Sequence, residues 1–160
     1  MNMKSKMMVV YYSYSGITKE VAEFIKEKIG GDIFEIEPVD QYPSSYSATL
    51  ELANKELASG HKPTLKNRLE NVGDYDVIFL GSPVWCGTIA PAVTSFLSTH
   101  DLSGKTIIPF CTHGGGGESN TFRDIQMLTL GSTVLSGGSF MGNPQREIST
   151  WLEIQLRQKF

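Results

Sequence analysis

The sequence predicts a three-layer α/β fold: a five-stranded parallel sheet with helices on both faces. Two observations carry this. Short, nearly unbroken apolar runs recur along the chain, as expected of strands covered on both sides. Segments of helical period lie between them, and strict βα alternation builds a parallel sheet. The chain has 160 residues, about the length of one domain, so residues 1–160 are expected to share a single core.

The first run is Met7–Tyr12. Ile17, Val21, Phe24, Ile25 and Ile29 then repeat at helical spacing, and Gly30-Gly31 ends that helix. Ile33-Phe34-Glu35-Ile36-Glu37 alternates like a half-buried edge strand. After the turn signal Tyr42-Pro43-Ser44-Ser45, a second helix places Tyr46, Leu50, Ala53 and Leu57 on one face and stops before Gly60. Residues 61–74 read as an irregular loop. Val77–Leu80, Thr106–Cys111 and Thr133–Leu135 are the remaining strands, with helices over 90–99, 118–130 and 144–158. The last helix opens at Asn143-Pro144, a capping residue followed by the proline favoured at the first helical position. Pro109 sits inside an inner strand, where it removes a ladder donor, and a bulge is expected there.

Composition narrows the function. Net charge is −3, and no basic stripe exists to neutralise a phosphate backbone, so nucleic acid is not an expected partner. The basic start, Met1–Lys6, is followed only by the short run Met7–Tyr12. A secretory h-region needs about 7–15 apolar residues and a membrane span about 18. No membrane association is expected, and a cytoplasmic location is. Cys86 and Cys111 form no CxxC and no disulfide framework, and His61, His100 and His113 have no ligand spacing, so a metal site is not expected.

Ligands of open α/β sheets bind beyond the carboxyl ends of the strands. Three loops are placed there. Ser13-Tyr14-Ser15-Gly16-Ile17-Thr18 leads into a helix and offers hydroxyls, a glycine and free first-turn amides to an anion, or is simply a capped turn. It holds no Lys or Arg. Ser82-Pro83-Val84-Trp85-Cys86-Gly87-Thr88-Ile89-Ala90 carries no charge; its Trp85 either packs on the core or stacks on a planar ligand. Thr112-His113-Gly114-Gly115-Gly116-Gly117 allows close backbone approach to a ligand, or is a plain flexible loop. A phosphorylated planar molecule suits all three. Walker, GxGxxG, GxSxG and Cys-x5-Arg patterns are absent.

With these loops in place the sequence resembles the flavodoxins. The similarity is to a branch with a Trp after strand three and a Thr-His-Gly-Gly motif after strand four. It is carried by residues 11–18, by Tyr75–Trp85 and by Gly104–Gly115. The resemblance implies strand order 2-1-3-4-5 and one noncovalent FMN. It implies that Ser13, Tyr14, Ser15, Gly16, Ile17 and Thr18 take the phosphate. Pro83, Val84, Trp85, Cys86 and Gly87 would cover one isoalloxazine face, and Thr112, His113, Gly114 and Gly115 would border the pyrimidine edge. Ser15 stands where Thr is usual, Cys86 replaces a second aromatic, and Gly116 replaces a common Ser. The implied function is electron transfer between redox partner proteins by a monomeric carrier, with no catalytic residue. The alternative is an NAD(P)H-dependent FMN or quinone reductase on the same fold.

Overall fold

The computed structural model describes residues 6–159, so residues 1–5 of the basic start lie outside it. The elements run β1 (Met7–Tyr11), α1 (Ile17–Ile29), β2 (Asp32–Glu35), α2 (Tyr46–Ser59), a 3-10 turn at Val72–Asp74, and β3 (Val77–Trp85). They continue with β4 (Thr88–Ile89), α3 (Pro91–Thr99), β5 (Thr106–Thr112), α4 (Thr121–Leu128), β6 (Thr133–Val134), β7 (Gly138–Phe140) and α5 (Gln145–Lys159). Strand order is β2-β1-β3-β5-β6, with β7 also beside β5 and β4 folded back on β3. Every pair is parallel except β3–β4. With β6 and β7 read as two pieces of a fifth strand, this is the expected 2-1-3-4-5 order.

Period-two alternation sorts the strand residues onto two cores. Met8, Val10, Ile78, Leu80 and Ile107 face one side, where Ala53 of α2, Val93 and Phe96 of α3 and Ile125 of α4 cover them. Val9, Tyr11, Val77, Phe79, Ile108 and Phe110 face the other, under Val21, Ala22 and Ile25 of α1 and Ile148 and Leu152 of α5. The glycine stops act as read: Gly30 and Gly60 take left-handed conformations, φ 66° and 71°, and their amides bond back into α1 and α2. Gly81 is required by packing, because a Cβ there would lie 2.2 Å from the Phe110 ring.

Two expectations are corrected. The bulge expected at Pro109 falls on its neighbour instead. β5 pairs one-for-one with β3 from Val77↔Thr106 to Pro83↔Thr112, so β5 itself is regular. On its other side the register is Thr106↔Thr133 and Ile107↔Val134, but then Phe110↔Gly138. Leu135, Ser136 and Gly137 therefore span the place of only Ile108 and Pro109. The Leu135 amide bonds to Ile107 O, so Ile107 and, by alternation, Pro109 turn toward this strand. Without a donor at Pro109 the ladder breaks there, and the fifth strand becomes β6 and β7. Second, strand three does not stop at Leu80. It runs on through Trp85 and turns back as a hairpin, so most of the expected loop, Ser82–Trp85 and Thr88–Ile89, is strand.

The irregular stretch before β3 is held partly by a histidine. His100, buried at the end of α3, stacks on Phe96 at 4.0 Å between ring centroids. Its Nε2 accepts the Leu69 amide at 3.0 Å, which leaves Nδ1 to donate to Phe96 O at 3.0 Å. A second proton would set two donors against each other. Burial, with the Arg68 charge, lowers the pKa of His100 below the ordinary 6.5, against the opposing pull of Phe96 O and Glu70. The unfolded chain then takes up this proton first. The contribution is complete above pH 6.5 and is lost as pH falls below it. Urea midpoints should drop between pH 7.5 and 5 more in the native chain than in His100→Gln; equal drops would show that His100 does not contribute.

Candidate functional site

The three loops meet at one edge of the sheet, beside β1 and β3, where the chain's progress along the strand order reverses. At the start of α1, Gly16 has φ 100° and serves as N-cap without any side-chain cap. Ser13 Oγ accepts the Gly16 and Lys19 amides at 3.2 and 3.1 Å, and Gly16 O accepts the Glu20 amide. The amides of Ile17 and Thr18 remain at the open helix start, where the dipole favours an anion. Nothing lies within 4 Å of a Cβ placed on Gly16, so the space above it is open. Ser15 and Ile17 are exposed, whereas Thr18 is buried and turns inward.

Thr18 ties this loop to the third one: its Oγ1 lies 2.7 Å from Thr112 Oγ1. Thr112 ends β5, and His113 follows with its amide bonded to Phe140 O of β7. His113 Nδ1 accepts the Gly115 amide at 3.0 Å, so the neutral ring carries its proton on Nε2, free to donate outward. Gly114, Gly115 and Gly116 are exposed, and added Cβ atoms there would touch nothing within 4 Å. Their backbone is open to a ligand. Below, Cys111 is buried against Ser139, and burial pushes its thiol pKa up to about 11, which keeps it an unreactive thiol.

The second loop is a two-residue hairpin. Trp85 pairs with Thr88, and Cys86 and Gly87 form the turn with φ 54° and 80°. Both central residues at positive φ is the type I′ signature, which suits strand twist but costs a non-glycine residue about 1–2 kcal/mol. The tip is anchored to the start of α4: Gly87 O accepts the Asn120 amide at 2.9 Å, and Thr88 Oγ1 donates to Asp124 at 2.5 Å. Cys86 is exposed, and partial burial raises its thiol pKa. Pro83 and Val84 are half-buried on β3, and Ser82 Oγ beneath them accepts the Ala90 amide at 3.0 Å.

Trp85 itself is only 2% exposed. Its indole meets Tyr42 at 5.0 Å, Tyr12 at 5.6 Å and Tyr14 at 5.7 Å, all edge-to-face. In this structure it packs against side chains and does not lie on a loop tip. Tyr14 is fixed by donating to Pro43 O at 2.6 Å, and Tyr42 by donating to Glu56 at 2.7 Å. A cavity of about 160 Å³ adjoins this cage, bounded by Tyr12, Ser13, Tyr14, Glu35, Gln41 and Tyr42 among others. Tyr12 and Tyr42 were not singled out as site residues in the sequence. Their signal was the crowding of tyrosines at 11, 12, 14, 42 and 46 out of six in the chain.

The residues present fit a phosphorylated planar ligand: open first-turn amides on α1, an exposed glycine loop after β5, and the uncharged Cys86-Gly87 turn with Cys86 exposed. The strained turn yields a stability prediction. Cys86→Asn restores the Asn-Gly pair that type I′ turns favour, and should raise stability by roughly 1 kcal/mol. An unchanged or lower urea midpoint would show that the Cys86 side chain contributes more than its backbone costs.

Comparisons with known proteins agree with this geometry. A family model described as flavodoxin matches residues 6–155. A protein of Bacteroides eggerthii described as a flavoprotein has 29% identity and a TM-score of 0.85, over 94% of this chain and 98% of that one. A similarly described protein of Bacteroides uniformis has 26% identity and a TM-score of 0.86, over 94% and 99%. A flavoprotein of Lactobacillus acidophilus, solved in complex with FMN, shares the fold at 24% identity and a TM-score of 0.78, over 92% and 99%. No curated protein matches the sequence. Fold, loop geometry and the family match together place this chain in the flavodoxin family.

Proposed function

We propose that this protein binds one FMN across the three loops and carries electrons between redox proteins. The observation that supports this most directly is the neutral cradle at the start of α1, joined to the glycine loop by the Thr18–Thr112 bond. The family match and the FMN held by the Lactobacillus acidophilus relative support the choice of cofactor. When bound, FMN supplies the one- and two-electron chemistry.

The residues divide the work of holding it. Ser13 fixes the loop, while the Ser15 hydroxyl and the Ile17 and Thr18 amides would donate to the phosphate, the Thr18 hydroxyl being engaged by Thr112. No Lys or Arg lies among residues 13–18, so hydrogen bonds and the helix dipole must hold the charge. The Cys86-Gly87 turn, with Trp85 packed behind it, would cover one face of the ring. His113 Nε2 with the Gly114 amide would donate to its far edge, the Gly115 amide being held by His113 Nδ1. Donors there favour negative charge developing on the ring, and none of residues 112–117 is a carboxylate that would oppose it.

The four arginines, Arg68, Arg123, Arg146 and Arg157, are scattered along the sequence and form no cluster of the kind that holds a nicotinamide phosphate, which supports a carrier over a reductase. The test is anaerobic. The FMN-loaded protein is mixed with NADPH alone while the visible flavin band is followed. A carrier keeps its band until a flavoprotein reductase is added; prompt bleaching by NADPH alone would establish the reductase, and failure to load FMN would overturn both.

Trp85→Ala should weaken FMN binding by about tenfold or more, from lost stacking and lost apolar area. Affinity is measured by fluorescence titration on protein verified as folded by circular dichroism, because the change also opens a core cavity. Equal affinity would restrict Trp85 to packing against its tyrosines.

A further inference from the structure

We infer that Trp85 and Tyr42 form a hole-transfer couple, in which an oxidising equivalent reaching the indole is passed to Tyr42 as its phenolic proton moves to Glu56. Three tyrosines touch Trp85 within 5.0–5.7 Å, close enough for rapid electron exchange with any of them. Their hydroxyl partners decide among them. A phenol loses an electron readily only if its proton has somewhere to go. Tyr14 donates to the carbonyl of Pro43, which cannot take a proton. Tyr12 has no protein partner for its hydroxyl among the described residues. Tyr42 alone donates to a carboxylate, Glu56 Oε1, at 2.7 Å, and it is also the closest ring to the indole.

The carboxylate has an outlet. Glu56 is 8% exposed, and its other oxygen lies 3.7 Å from Nε2 of His61, whose side chain is 60% exposed. A proton accepted from Tyr42 therefore has a route to the surface. Burial and the Glu56 carboxylate both raise the pKa of Tyr42, so its proton leaves only together with an electron.

The step balances. Trp85 loses one electron to a one-electron oxidant at the mouth of the site, such as an excited isoalloxazine or an oxygen-derived radical. Tyr42 returns one electron to the indole, and its proton passes to Glu56. The oxidant has then gained one electron, Trp85 is restored, Tyr42 is a neutral phenoxyl, and Glu56 is protonated. The consequence is that the hole leaves the indole for a phenol whose proton has a route to the surface. The inference concerns side chains only and holds whether or not the loops bind FMN.

The test uses the full chain carrying Trp151→Phe, which leaves Trp85 as the one tryptophan of the two in the sequence. A red-edge laser flash ionises Trp85, and transient absorption follows its radical. The indole radical should decay as a phenoxyl band grows, and decay should slow in deuterated solvent. Tyr42→Phe, which keeps the ring in the cage, should lengthen the indole radical's life at least about tenfold, and Glu56→Gln should slow the transfer similarly. Unchanged decay in Tyr42→Phe would overturn the couple, and unchanged decay with no solvent isotope effect in Glu56→Gln would overturn the proton's path. A second readout needs no variant: after steady illumination, peptide mapping should find oxidation greater at half-buried Tyr42 than at Tyr46, which is 57% exposed. The reverse order would overturn the proposal.

Discussion

β3 pairs with β1 through Val77–Gly81 and with β5 through Val77–Pro83, and it continues two residues beyond both. That length is what the functional edge rests on. Six consecutive residues, Val77–Ser82, are buried, so the strand is fixed on both faces before it reaches the edge. Its last residues then project past the sheet as one arm of the Cys86-Gly87 hairpin. A strand stopping at Leu80 would leave Trp85 on a mobile loop. Running on, it inserts Trp85 among three tyrosines and presents the turn beside the first-turn amides of α1.

The fold was legible where each residue votes the same way. Unbroken apolar runs marked strands covered on both sides, and Gly30 and Gly60 marked helix ends from local backbone chemistry alone. The expected Asn143 cap is not made, because α5 starts at Gln145 with Pro144 O accepting the Ile148 amide, and Asn143 Oδ1 has no partner among the described residues. Pro109 was legible as a conflict but not as its resolution. The sequence shows that a donor is missing; which neighbour yields depends on the direction in which that donor would have pointed, and the parity of pairing with β6 sets that. The extension of β3 was hidden for a related reason. Ser82-Pro83 reads as a turn, yet Pro83 lies near the end of the β3–β5 ladder and Ser82 bonds Ala90 across the hairpin.

The site was legible as loops and illegible as a cage. Residues 13–18, 83–87 and 112–115 could be placed at one edge because parallel topology puts every strand's carboxyl end there. Tyr42 belongs to a turn signal and Tyr12 to a strand, and neither has a local reason to approach Trp85. Their meeting depends on where the β2–α2 connection crosses back over β1. The Pro38↔Leu65 bridge and the Tyr42–Glu56 bond hold that connection, and both join residues distant in sequence.

The cage and the hairpin then place opposite demands on one side chain. The turn is tied to α4 through Gly87 O–Asn120 and Thr88–Asp124, so the backbone at residues 87–88 has little freedom to move. A planar ligand settling on this hairpin must be met by side-chain rotation. Turning Trp85 outward gains a stacked face but gives up three edge-to-face contacts, each worth about 0.5–1.5 kcal/mol. One stack replaces three such contacts, so the exchange gives up about 1–3 kcal/mol, which the apolar area buried under the ligand must offset. The tyrosine cage thus keeps the indole ordered without a ligand and sets a modest cost on its release. The first-turn amides of α1, by contrast, are fixed in the helix and need no rearrangement to meet an anion.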